Sequence, residues 1–112
     1  MINRSRTVAA AAVLFFSGSL IAQDAAKGKQ LFVKYGCYEC HGYQGQGGSA
    51  GARLAPRPIT AVALIAYVRR PAGQMPPYTS KVASDADLTD IRAYLATVPE
   101  PPAAKSVPLL NQ

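Results

Sequence analysis

One short stretch, Cys37-Tyr38-Glu39-Cys40-His41, contains both cysteines and the only histidine of the chain. Thiolate sulfur and imidazole nitrogen are the side-chain groups that ligate soft metals, and paired thiols also carry redox chemistry. This spacing is compatible with a dithiol redox pair, with part of a zinc site, or with C-x-x-C-H, the signature for covalent attachment of a c-type haem.

The haem interpretation accounts for all three side chains at once. Cysteines three residues apart lie one helical turn apart, which matches the separation of the two haem vinyl groups, and the next residue is carried under the ring centre. A thioredoxin-type pair would need a βαβ scaffold, and a zinc site usually needs four ligands. A disulfide here would close almost no loop and stabilise little. We expect Cys37 and Cys40 to attach one haem c and His41 to be its proximal iron ligand.

Met75 is the candidate for the other axial position. With a single histidine in the chain, bis-histidine ligation within one molecule is excluded, and Met75 is the only methionine besides Met1. It lies in an irregular, proline-braced loop, whereas a methionine that merely fills the core more often lies on a helix face. The alternative is a methionine that plugs a surface gap. Met75 as distal ligand would fill the iron's coordination and raise its potential, which favours electron transfer.

The N-terminus has the pattern of a secretory signal peptide. Arg4 and Arg6 precede an apolar run over residues 8–16, and small neutral residues follow over 17–22. The run is shorter than the ~20 residues of a membrane span. We expect cleavage after Ala22 and export to the periplasm; if the segment were retained, it could act as a membrane anchor.

The remaining chain of about 90 residues is enough for one small domain. Removal of two arginines and no acid lowers the formal net charge from +6 to +4. A mildly basic exported protein suits an acidic protein partner or a membrane surface. Nucleic acid is excluded as a partner, since no cationic cluster is larger than Arg69-Arg70.

Three segments have helical patterns, and no segment alternates convincingly as a strand. Residues 23–36 predict a short amphipathic helix with Asp24 as N-cap, and residues 59–70 predict a buried helix capped by Thr60. Residues 84–98 predict the clearest helix, with a capping box at Ser84 and an apolar stripe. A glycine-rich loop lies between the first two, and residues 99–112 predict an extended or disordered tail rich in proline and alanine.

These features together resemble a small bacterial class I cytochrome c, over residues 25–98. The resemblance rests on an N-terminal helix, C-x-x-C-H, a Met-Pro loop and a C-terminal helix in that order. It implies that Gly28 and Phe32 pack across the last helix near Tyr94. It also implies that a loop carbonyl accepts a hydrogen bond from the proximal histidine. The family usually has Gly-Pro-x-Leu in that loop, and here Ala52 replaces the proline, so that its backbone carbonyl is the candidate acceptor.

We therefore expect an all-α, single cytochrome c-like domain of three to four short helices around one covalent haem. The expected domains are a signal peptide at 1–22, the cytochrome at 23–98 and the tail at 99–112. The expected function is single-electron transfer between periplasmic protein partners, without enzymatic activity. One alternative is the electron-accepting subunit of a dehydrogenase or oxidase complex; a haem enzyme or gas sensor with an open iron is another. Basic residues that could steer an acidic partner flank the haem segments: Lys27, Lys29, Lys34, Arg53, Arg57, Arg69, Arg70 and Lys81.

Overall fold

A computed structural model of the chain describes residues 22–112, and the expected signal peptide lies almost entirely outside the described residues. The order of elements is α1 (Ala25–Lys34), α2 (Cys37–His41), α3 (Ala61–Arg69) and α4 (Asp85–Thr97), followed by two short 3-10 turns. The all-α prediction is confirmed, and no strand occurs among residues 22–112. Within this part of the chain no helix has the length and apolar character needed to cross a bilayer.

Local side-chain caps begin the three longer helices, as the sequence predicts. The Asp24 carboxylate accepts from the Lys27 backbone N–H, and the Thr60 hydroxyl accepts from that of Ala63. At α4, Ser84 and Asp87 form a reciprocal capping box. Each cap satisfies backbone donors that have no partner within the helix, which sets the residue at which the helix begins.

The α1–α4 crossing forms the centre of the domain. Gly28 lies against the α4 backbone so closely that a Cβ at this position would overlap the Asp90 carbonyl. The Phe32 and Tyr94 rings pack with their centroids 5.7 Å apart. Phe32 and Leu95 are the largest fully buried side chains of the described core. The packing that the family resemblance implies is therefore confirmed.

A polar cluster of Asp24, Lys27, Asp87 and Asp90 stabilises the edge of the same crossing. The Asp24 backbone N–H donates to Asp90 Oδ1 at 2.9 Å. Lys27 Nζ lies 3.1 Å from the Asp90 carboxylate and 3.3 Å from that of Asp87. These contacts join the first turn of α1 to the middle of α4, so that the crossing angle is set by polar as well as apolar groups.

Helix α3 is less buried than its composition predicts. It packs against α4, and only Leu64 and Val68 among its residues are buried. Val62 is 78% exposed, and Tyr67 is about half exposed. Contacts with the other helices alone therefore cover only part of the apolar surface of α3.

Candidate functional site

Helix α2 presents the two cysteines and the histidine on one short element. Gly36, with φ of 73°, adopts the left-handed conformation that turns the chain from α1 into α2. Cys37 is half-buried and Cys40 is exposed, and neither is in a disulfide. One helical turn therefore holds the two thiols and the imidazole together, as the sequence predicts.

The Cys37 thiol has the opposite electrostatics from a redox-active cysteine. Burial raises its pKa to about 11, so that the free thiol is neutral at pH 7. Catalytic dithiols instead have a lowered pKa, because the thiolate is the nucleophile. The burial of the Cys37 thiol thus disfavours the dithiol interpretation.

A single hydrogen bond orients the His41 ring. His41 Nδ1 lies 2.7 Å from the Ala52 carbonyl oxygen. Because a carbonyl oxygen can only accept, Nδ1 must carry the proton, and in the neutral ring Nε2 keeps its lone pair for a metal. This is the bond that the resemblance implies, and the proline of the family loop is not needed to make it.

The loop that carries Ala52 approaches α2 very closely at Gly51. A Cβ at Gly51 would lie 2.7 Å from the Cys40 carbonyl oxygen and 2.9 Å from His41 Nδ1. Any larger residue would push the loop away from the imidazole. The sequence indicates the loop, but this requirement for glycine depends on a contact between segments that the sequence does not display.

The loop of Met75 is held beside the start of α2. The Tyr78 hydroxyl donates to the carbonyl of Tyr35, two residues before Cys37, at 2.6 Å. Met75 itself is half-buried and packs against the edge of the core. The fold therefore brings the methionine loop and the cysteine helix to the same side of the core.

The residues around α2 fit a haem. Half-buried apolar side chains pack against the core together with Cys37, and they are Tyr35, Tyr38, Leu54, Ile65, Met75, Tyr78 and Val98. The available donors are two thiols, one imidazole nitrogen with a free lone pair, and one thioether. A large apolar ring with two vinyl groups and a central iron matches both the surface and this set of donors.

The distribution of charge leaves cations without acidic neighbours. Within residues 22–112, four of the carboxylates are in ion pairs with Lys27, Arg57 or Arg69, and the Asp24 carboxylate caps α1. Glu39 is the remaining acid. The cations outside ion pairs in this part of the chain are Lys29, Lys34, Arg53, Arg70, Lys81, Arg92 and Lys105.

Comparison with known families places most of the chain in a described family. A family model described as cytochrome C oxidase, cbb3-type, subunit III, matches residues 23–95. The matched range includes α1, α2, α3 and the Met75 loop. No curated protein and no solved structure matches the chain.

Proposed function

Because the chain belongs to this cytochrome c family of cbb3-type oxidase subunit III, we propose that it carries single electrons between protein partners in the periplasm. The chain is a small monohaem cytochrome c with covalently bound haem c, and its role is electron transfer. The proposal adds the attachment residues, the iron ligands, the location and the partners.

In this proposal, Cys37 and Cys40 form the two thioether bonds, and His41 Nε2 and the Met75 sulfur are the axial ligands. The observation that carries it is the His41–Ala52 hydrogen bond, which leaves Nε2 as the free nitrogen on the C-x-x-C-H helix. When bound, the haem supplies an iron that gains and loses one electron. The His41–Ala52 bond would hold the imidazole in one orientation toward that iron.

Covalent attachment can be tested by intact mass. Full-length protein made in a host with a c-type haem maturation system should carry the mass of one haem through denaturation. Changing both Cys37→Ser and Cys40→Ser should remove it. Tyr38→Phe alters the same helical turn without removing a thiol, and it should retain the haem. Retention of the mass by the double serine variant would contradict the assignment of the cysteines.

For domain organisation, we propose a signal peptide at residues 1–22, a cytochrome domain at 23–98 and a tail at 99–112. The match over residues 23–95 lies within the proposed cytochrome domain and supports its bounds. Fractionation and N-terminal sequencing test export: the mature protein should be periplasmic and begin at Gln23. An intact N-terminus in the membrane fraction would instead support a retained anchor.

We expect the redox partner to have an acidic docking surface. Within residues 22–112, seven cations lie outside ion pairs, whereas Glu39 is the one acid that neither forms an ion pair nor caps a helix. Opposite charges accelerate association, and salt screens this attraction. Electron exchange with an acidic redox protein should therefore slow steeply as ionic strength rises. A rate that is independent of salt would contradict the docking proposal.

A second candidate is a cytochrome subunit of an oxidase or dehydrogenase complex. The family description names an oxidase subunit, and the tail is the segment that we propose docks on such a complex. Arg57 Nε lies 3.0 Å from Glu100 Oε1, which places the start of the tail beside the loop after α2. Beyond it, Leu109 and Leu110 are 79% and 67% exposed. If the tail docks, Leu109→Ser with Leu110→Ser should abolish co-purification of oxygen-reducing activity, whereas Lys105→Ser should not.

A further inference from the structure

Tyr78 connects the Met75 loop to two other segments through its hydroxyl and its backbone. Its hydroxyl donates to the Tyr35 carbonyl, at the junction of α1 and α2, at 2.6 Å. Its backbone N–H donates to the Val68 carbonyl in α3 at 3.1 Å. The Tyr35 and Tyr78 rings also meet edge to face, with their centroids 6.3 Å apart. One residue of the loop is thus fixed both to the α1–α2 junction and to α3.

Arg69 fixes the same residue from a third direction. Its Nη1 donates to the Tyr78 carbonyl at 2.9 Å, and its Nη2 forms an ion pair with Asp85 at the start of α4. Tyr35 in turn donates its hydroxyl to Asp87 Oδ2 at 2.9 Å. Tyr35 and Arg69, which both hydrogen-bond to Tyr78, are therefore anchored to the first turn of α4. The capping box in turn stabilises that first turn.

The two prolines between Met75 and Tyr78 make this anchor relevant to the methionine. Pro76 and Pro77 each have a ring that restricts φ to near −65°, so the segment from Met75 to Tyr78 is stiff. On the other side of Met75, Gly73 has φ of 68° and open space around its Cα. A loop with a free glycine at one end and a stiff, anchored arm at the other is positioned mainly through the arm.

We propose that Tyr78 is a positioning residue that holds the Met75 sulfur on the iron, with Arg69 as a second tether. This inference rests on the proposed His41/Met75 ligation. When the loop leaves the iron, the Tyr78 hydroxyl exchanges the Tyr35 carbonyl for water. Removing the hydroxyl therefore takes one net hydrogen bond from the attached loop, which shifts the equilibrium between attached and detached loop about fivefold toward the detached loop.

The test compares two variants that each remove one tyrosine-to-carbonyl hydrogen bond. Tyr78→Phe deletes the bond to Tyr35, and Tyr94→Phe deletes the bond from Tyr94 to the Tyr43 carbonyl, which is 2.7 Å long. Both are made in the haem-loaded full-length protein. The readouts are the methionine-to-iron charge-transfer band of the oxidised form, the affinity for added imidazole, and the urea midpoint.

We expect Tyr78→Phe to bind imidazole about fivefold more tightly than wild type and to lose its charge-transfer band at lower imidazole concentration. Tyr94→Phe should match wild type in both, although its urea midpoint falls comparably. Equal imidazole affinities in the two variants would overturn the positioning role while leaving the Met75 assignment intact. Absence of the band in wild type would overturn both.

Arg69 provides an independent variant. Arg69→Met removes the donor to the Tyr78 carbonyl, and Arg92→Met removes a comparable donor to the Ile59 carbonyl, at 3.2 Å. Imidazole affinity should rise in Arg69→Met and stay unchanged in Arg92→Met. The same affinity in both arginine variants would exclude Arg69 as a tether.

Discussion

Gly28 is the position at which the α1–α4 crossing is most sensitive to a single methyl group. In Gly28→Ala the new Cβ would lie 2.9 Å from the Ile91 backbone nitrogen and closer still to the Asp90 carbonyl. All of these atoms are α4 backbone, so no side-chain rotation relieves the overlap. The two helices must separate by on the order of 1 Å to reach ordinary van der Waals contact near 3.5 Å.

The expected loss follows from what this separation disturbs. Overpacking in a core costs about 1–3 kcal/mol. The shift also lengthens the 2.9 Å bond from the Asp24 N–H to the Asp90 carboxylate, a class of bond worth about 1.5–3 kcal/mol. Alanine regains about 1 kcal/mol through its higher helix propensity. Since the Asp90 side chain can rotate to recover part of that bond, we expect Gly28→Ala to lower the free energy of unfolding by roughly 2–4 kcal/mol.

Urea denaturation of the haem-loaded protein, followed by circular dichroism at 222 nm, measures this loss. Gly48→Ala is the matched control, because a Cβ at Gly48 meets nothing within 4 Å, and it should change stability by less than about 0.5 kcal/mol. A Gly28→Ala variant as stable as the Gly48→Ala control would refute the close packing of α1 on α4.

Three further results are expected. Gly51→Ala places a methyl 2.9 Å from His41 Nδ1 and should displace the loop that accepts the ring's hydrogen bond. Because loss of that bond makes the imidazole a poorer electron donor, voltammetry should show a midpoint potential raised by tens of millivolts. An unchanged potential would contradict this. The Asp24 N–H lowers the pKa of Asp90, so the stability that this carboxylate contributes is present above about pH 4 and lost as pH falls through its lowered pKa. Urea midpoints measured from pH 3 to 7 should therefore depend less on pH in Asp90→Asn than in wild type. Parallel plots of midpoint against pH for the two proteins would be the opposing result. Deleting residues 103–112, which are exposed except for Val107, should leave the unfolding temperature within about 1 °C in calorimetry; a larger drop would show that the tail supports the domain.

The elements most accurately predicted from sequence are those set by local chemistry. Asp24, Thr60 and Ser84 each cap a helix through an atom three residues away, so the interacting groups stand together in the sequence. The C-x-x-C-H turn is equally local. The Phe32–Tyr94 contact joins residues near the two ends of the domain sequence. Only the resemblance to a family predicts it.

The features that escaped prediction depend on contacts between distant segments. Tyr78 and Tyr35 are 43 residues apart, and nothing in either neighbourhood marks a hydrogen bond between them. In the sequence Arg69 has the pattern of an ordinary surface cation, although it donates to the Tyr78 carbonyl and forms an ion pair with Asp85 in α4.

The central claim, that the chain holds a haem iron with both axial positions filled by His41 and Met75, is tested most directly by its visible spectrum. The purified protein would be recorded oxidised, then reduced with and without carbon monoxide. The account predicts a weak methionine-to-iron charge-transfer band in the oxidised form and a reduced spectrum that carbon monoxide does not change. Immediate binding of carbon monoxide, with no charge-transfer band, would show that Met75 is not a ligand and would contradict the account.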